Sequence, residues 1–214
     1  MRTGLEVSQR ALEMFNEREK YAYLYGAKGE LGTEEFIRYM FKQYPAYFSK
    51  YSAEQLEQIV EYSKGKILYD CSGFVCHCAG IPTSYSGKLM SECTKHTTDT
   101  KEGKAGWLAW KNGHGGIDRG DGTFLHMYKE LETVVADRFS NYDWQKQGRL
   151  RGVDYSYEDK IEDKVMTHTV QKGETLWKIA EKYYKDGKSY TKIMEINKLR
   201  NTTINVGQVL VIPQ

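Results

Sequence analysis

Along its first hundred residues the chain alternates apolar and polar positions at helical spacing. Residues 5–19 read as a helix with Leu12 and Phe15 among its apolar anchors, and an aromatic, glycine-punctuated stretch, YAYLYGAKG (21–29), follows. Thr33 ahead of Glu34 and Glu35 predicts a helix cap, and EEFIRYMFKQYP carries the helical period until Pro45. Ser52 predicts a second cap for AEQLEQIVEYS, ending near Gly65. Asp70 predicts a third for CSGFVCHCAG, closed by Gly80 and Pro82. From about residue 105 the pattern shortens to AGWLAWK, HGGID and TFLHMY. These predict antiparallel strands, with GDG (120–122) as a hairpin turn. Helices first and strands later is an α+β signature.

The pattern changes again beyond residue 155. YSYEDKIEDKVM is charged and predicts a linker over 156–166. The remainder, 167–214, predicts a small βααβ domain. Its core candidates are Val170, Leu176, Ile179, Ile193, Ile196 and Leu210, with Trp177 also expected inside.

Composition adds bounds. The chain has 214 residues, 40% hydrophobic and including 17 Tyr, enough for a medium domain and a small one. A net charge of +2 gives no case for nucleic acid as partner. The N-terminus MRTGLEVSQRALEMFNEREK is charged and amphipathic and offers neither a signal peptide nor a membrane span. Cys71, Cys76, His77, Cys78, Cys93 and His96 lack the paired spacing of a zinc site. Cys76 and Cys78 read instead as small buried apolar residues, and neither metal nor cofactor is expected.

The candidate chemistry lies in YDCSGFV (69–75) and GHGGIDRGDGTFLH (113–126). Cys71 in a first helical turn sits in the positive field of the N-terminus, which is expected to lower its pKa. A neighbouring imidazole would lower it further. The Cys71 amide is free to hold an oxyanion. His114 and His126 fall nearly opposite each other across the proposed hairpin, so one can serve as base and the other as its orienter. Taken singly, each histidine reads better as an ordinary structural or surface residue, and a lone Cys-Ser-Gly is no stronger a signal.

DCSGFV followed by GHGGIDRGDGTFLH resembles the NlpC-type family of papain-like cell-wall cysteine peptidases over roughly residues 10–155. That resemblance implies a papain-like domain over 1–155, helices packed on an antiparallel sheet, with a Cys71–His114–His126 triad. YLYG resembles the family's YxWGG, which makes Tyr23 the counterpart of a tyrosine near the nucleophile. Asp70 and Ser72 then either touch substrate or serve as helix cap and spacer. The implied reaction is cleavage of peptidoglycan stem peptides, usually between D-γ-glutamate and the following diamino acid. Departures from the family are a helical insertion over about 30–68, Asp118 and Arg119 where apolar residues are usual, and Gly115 in place of Val. They predict a wall or lid on the cleft, a hairpin that is more exposed or unusually paired, and looser packing beside the base.

HTVQKGETLWKIA…INVGQVLVIP resembles a LysM domain, which binds N-acetylglucosamine-containing glycan between two loops. Here those loops carry Gly173, Glu174, Thr175 and Leu176, then Asn201, Thr202, Thr203 and Ile204. Thr175 also reads as an N-cap, and Leu176 and Ile204 as core. The combined expectation is a peptidoglycan endopeptidase anchored to the wall by its LysM, in a phage or prophage setting where a holin releases it or a tail carries it. An N-acetylmuramoyl-L-alanine amidase and a non-catalytic wall-binding or tail component are the alternatives.

Overall fold

The computed structural model describes residues 1–98, 103–158, 166–197, 199 and 201–212, and the chain divides into two compact units, Met1–Tyr155 and Ser156–Gln214. Residues 159–165 of the expected linker lie outside those described.

The first unit is α+β. Helix α1 (Gly4–Asn16) opens with a capping box from Thr3 and Glu6. Strands β1 (Tyr21–Tyr23) and β2 (Lys28–Leu31) follow. Three helices come next: α2 (Glu34–Gln43), capped by Thr33; α3 (Pro45–Phe48); and α4 (Ala53–Ser63), capped by Ser52 and Gln55. Strand β3 (Ile67–Tyr69) then leads into α5 (Cys71–Ala79), capped by Asp70 and ended by Gly80 in the left-handed region at φ 67°. The helical insertion therefore has a strand at each end. Residues 30 and 68 fall in β2 and β3, which pair antiparallel, while β3 pairs in parallel with β1. Short strands that pair across forty residues leave no local alternation to read.

The parallel pairing has a consequence for the motifs. Tyr23 is level with Tyr69, so the YLYG and DCSG segments leave the same end of the sheet side by side. Three backbone and cap contacts lock them. Leu24 N–H donates to Tyr69 O at 3.1 Å, Asp70 N–H to Ala27 O at 2.9 Å, and Gly26 N–H to Asp70 Oδ2 at 3.2 Å.

The second sheet of this unit is antiparallel, in the order β4-β9-β5-β6-β7-β8. Its strands are β4 (Cys93–Thr97), β5 (Leu108–Lys111), β6 (His114–Asp118), β7 (Thr123–Met127), β8 (Val134–Arg138) and β9 (Lys146–Leu150). Helices α1 and α5 cover one face, where Met14, Phe74, Val75, Cys76, Cys78, Ile117, Leu125 and Met127 form the main core. The other face carries a small aromatic cluster around Phe124 and Trp144. The insertion helices build a core of their own from Ile37, Met40, Phe48, Ile59 and Val60 against Leu24 and Leu68.

The second unit contains β10 (Met166–Thr169), α6 (Leu176–Tyr184), α7 (Tyr190–Ile196) and β11 (Val209–Ile212), with the two strands antiparallel. Val170, Leu176, Ile179, Ala180, Ile193, Leu210 and Ile212 are its core. Two core expectations are corrected. Ile196 is 51% exposed and Trp177 50% exposed. With Leu176, Ile179 and Ala180 facing in, residue 177 is turned about 100° away. The Trp177 ring lies against Gly187 instead, where an added Cβ would come within 2.2 Å of it. Among the described residues no helix is long and apolar enough to cross a membrane.

Candidate active site

Cys71 opens α5 at the floor of a cleft of about 870 Å³, whose lining includes Tyr23, Asp70, Ser72, His114 and Gly115. The helix starts here because Asp70 turns its carboxylate back onto the Gly73 N–H at 2.6 Å. The same carboxylate accepts from the Ser72 hydroxyl at 2.8 Å and forms an ion pair with Lys28, whose Nζ also donates to Ser72 Oγ at 2.9 Å. Asp70 and Ser72 thus line the cleft with their polar atoms already engaged in the cap. Tyr23 is 4% exposed and shares a hydrogen bond with Tyr47. Burial raises its pKa well above the usual phenol range and keeps it a neutral O–H donor.

The two histidines come from neighbouring strands. The β6–β7 register pairs Ile117 with Leu125 and Asp118 with Phe124, so His114 and His126 are diagonal neighbours rather than directly opposite. Gly116 is the residue facing His126. A Cβ there would lie 2.9 Å from Leu125 O and 3.0 Å from His126 Cβ, so the absence of a side chain makes room for the imidazole pair. His114 Nε2 and His126 Nδ1 are 2.8 Å apart. His126 Nε2 is 3.3 Å from Asp137 Oδ2 on β8. Trp144 stacks on His114 at 5.6 Å, and Tyr128 and Tyr142 pack edge-on against the pair.

Electrostatics correct one expectation. Burial pushes the Cys71 thiol up to about 11, helped by the Asp70 charge; the Gly115 N–H and Lys28 oppose the rise without reversing it. Burial, the adjoining His126 and Lys111 pull His114 down to about 3. Desolvation therefore outweighs the helix N-terminus, and the unliganded site rests as neutral thiol and neutral imidazole.

Of the departures from the family pattern, Asp118 follows the unusually paired alternative and Gly115 differs from expectation. Asp118 is fully buried, not exposed. It accepts the Lys104 N–H at 2.6 Å, the Gly120 N–H at 2.7 Å and Gln147 Nε2 at 2.5 Å, while burial still raises its pKa to about 6. Gly115 leaves no slack, since a Cβ would sit 3.3 Å from Leu108 Cδ1.

Several neighbours of the site had no sequence signal. Asp137 lies on a strand that the pattern did not mark. Lys28 reaches Asp70 only through the β2–β3 pairing. Glu130, 5% exposed, accepts hydrogen bonds from Tyr51 OH at 2.6 Å, Tyr47 OH at 3.0 Å and Tyr25 N–H at 3.4 Å, tying the insertion to the β7–β8 loop. Tyr44, between α2 and α3, lines the cleft, so the insertion is part of its wall.

In the second unit, Thr175 caps α6 by accepting the Lys178 N–H at 3.3 Å, and Leu176 is buried with Ile204 packed against the same core. Glu174 accepts from the Gln171 N–H at 2.7 Å and lies 2.6 Å from His168 Nε2. Gly173 turns at φ 83°, and the exposed Asn201 accepts the Thr203 N–H at 3.0 Å.

Comparison with known proteins gives two findings. Residues 168–213 match the LysM domain family, so this part of the chain is a LysM domain, a module that binds peptidoglycan through its N-acetylglucosamine-containing glycan. A 53-residue stretch is 45% identical to the uncharacterized protein YpbE of Bacillus subtilis (strain 168), covering 25% of this chain and 22% of that protein.

Proposed function

We propose that the first unit is an NlpC-type papain-like cysteine peptidase that cleaves peptidoglycan stem peptides while the LysM domain holds it on the glycan. The observation that carries this reading is the convergence on one cleft of Cys71, at a capped helix start, and His114, which is paired behind it with the buried His126, in a chain that also carries a wall-binding module. In this mechanism the Cys71 thiol gives its proton to His114 as its sulfur attacks the amide carbonyl. The oxyanion is held by the Cys71 N–H and the Tyr23 hydroxyl. His114 then protonates the leaving amine, and water hydrolyses the thioester. The bond cleaved is D-γ-glutamyl–diamino acid. Tethering by the LysM raises the local concentration of an insoluble substrate. The Gly173–Leu176 and Asn201–Ile204 loops bind the glycan, with the Glu174 and Thr175 side chains shaping the first loop. The setting is a phage or prophage lytic protein.

A second reading, a wall-binding protein whose cleft does no chemistry, is favoured by the raised thiol and lowered imidazole pKa values. Digestion of purified sacculi from diaminopimelate- and lysine-type walls by wild type and Cys71→Ala separates the two. New peptide ends made by wild type alone, read by mass spectrometry, are expected and name the bond; ends at the lactyl-amide would indicate an amidase instead. Retention on sacculi without products would sink the hydrolase.

A further inference from the structure

We infer that Asp137 is a positioning residue that sets the proton pattern of both histidines and so makes Nδ1 the basic atom of His114. The inference rests on the peptidase reading for its catalytic meaning, but its physical content is independent of activity.

His114, His126 and Asp137 form a diagonal row across three adjacent strands on one face of the sheet. The β7–β8 register pairs Phe124 with Asp137 and His126 with Val135, which puts Asp137 one diagonal step from His126. A carboxylate oxygen only accepts. His126 therefore presents Nε2–H to Asp137 Oδ2 across 3.3 Å. Burial lowers the His126 pKa, so it carries this one proton at neutral pH, and its Nδ1 is an acceptor. The 2.8 Å contact to His114 must then be a donation from His114 Nε2–H. A neutral His114 protonated at Nε2 has its lone pair on Nδ1. Each step is forced by the one before it, and the origin is the carboxylate.

The surroundings of His126 leave few competing partners. Lys111 on β5 opposes its protonation, while Glu132 in the β7–β8 loop and Asp137 favour it. Phe124 and Tyr142 pack against its ring at 4.8 and 5.3 Å, with Tyr128 beyond them at 6.0 Å. Among these, Asp137 is the acceptor within reach of Nε2.

The test is long-range ¹H–¹⁵N NMR of the imidazoles in the full chain, with turnover of sacculi measured on the same samples. Wild type is expected to show Nε2–H tautomers for both histidines. Asp137→Leu removes the acceptor and is expected to populate Nδ1–H at His114 and to slow turnover by at least about 10-fold, part of the roughly 10²–10⁴-fold that a correctly protonated general base contributes. Asp137→Asn, whose amide oxygen accepts the same proton, is expected to restore both. An Nδ1–H tautomer in wild type overturns the inference without any variant, and so do unchanged tautomers in a folded Asp137→Leu. Tautomers that shift as stated in a protein that leaves sacculi intact would uphold the inference and sink the peptidase reading. Sacculus turnover and tautomers both left unchanged by a folded Asp137→Leu would do the reverse.

Discussion

Among the described residues, the first unit buries Ser63, Asp70, His114, Asp118, His126, Glu130, Gln147 and Arg149, whereas in the second His168 is the buried polar side chain. Burying such groups is unfavourable unless each finds partners, and in the first unit most do, in a helix cap, an imidazole pair, a loop clasp and a cluster of three phenol and amide donors around one carboxylate, while Ser63 Oγ and Gln147 Oε1 are buried without one. A large core of Phe74, Trp107, Ile117 and their neighbours sustains that polarity. The LysM domain has a far smaller core and carries its charges at the surface, on its helices as well as its loops. The contrast matches the tasks assigned to each. Presenting loops to a glycan requires little buried polarity, while the proposed proton transfer between thiol and imidazole requires a dry, fixed array.

The sharpest way to break this contrast is at Glu130. Its carboxylate is held by Tyr47, Tyr51 and the Tyr25 amide. Glu130→Leu leaves those donors facing an apolar group. We expect the first unit to lose about 3 kcal/mol, since unsatisfied buried donors cost about 1–3 kcal/mol each and partial relaxation recovers some of that. Denaturant unfolding followed by tryptophan fluorescence in a Trp177→Phe background confines the signal to Trp107, Trp110 and Trp144, all in the first unit. A loss under about 1 kcal/mol would mean that the insertion stands on its own apolar core.

The buried array is also where the sequence was least informative. The caps at Thr33, Ser52 and Asp70 were legible because a cap is a local pattern of side chain and backbone within four residues. The GDG hairpin was legible for the same reason. The α+β order and the LysM segment could likewise be read from periodicity and motif. Asp137, Lys28 and Glu130 were not, because each gains its meaning from a partner on another strand or helix, 11, 42 and 79 residues distant. The state of Cys71 was misjudged for a related reason. The helix N-terminus can be seen in sequence, but the desolvation that outweighs it depends on what packs around the thiol. Trp177 is a different kind of miss, since the helical period alone turns it away from Leu176 and Ile179.

Acid sharpens the comparison further. His114 is lowered from 6.5 to about 3 in the fold, so its neutral form adds stability above pH 6.5 that is lost as pH falls towards 3. Asp118 is raised from 3.8 to about 6, so it adds stability at low pH that is lost as pH rises through 6. The two nearly offset each other, leaving wild type a net loss of about 1 kcal/mol from this pair between pH 7 and pH 4. Asp118→Asn removes the offset and should steepen the loss over that interval to about 3 kcal/mol. Equal slopes for wild type and Asp118→Asn would mean that Asp118 does not titrate in this range. In the LysM domain, the half-buried Glu174 and the exposed Asp186 have carboxyls held below their usual values, Glu174 chiefly by the Gln171 amide and Asp186 by Ser189. Their contribution is present above the unfolded carboxyl range and fades only below about pH 4. Between pH 6.5 and 5, then, these groups leave the LysM domain unchanged while the first unit responds.

The smallest expected effect lies in the LysM domain and asks whether its loop residues serve the fold or the ligand. Thr175 accepts the Lys178 N–H at 3.3 Å and begins α6, directly ahead of the buried Leu176. Thr175→Ala removes that acceptor and should cost about 1 kcal/mol of LysM stability, the usual value of an N-cap. Thr175→Ser keeps the hydroxyl and should restore the loss. If the threonine is only a cap, sacculus binding by the folded Ala variant stays within about twofold of wild type, since backbone groups of the loop are unmoved. A tenfold loss of binding in Thr175→Ala that Thr175→Ser rescues, at a temperature where both are folded, would instead put the hydroxyl on the sugar. The first unit, whose cleft contains none of these atoms, provides the internal control: its unfolding midpoint should be the same in both variants.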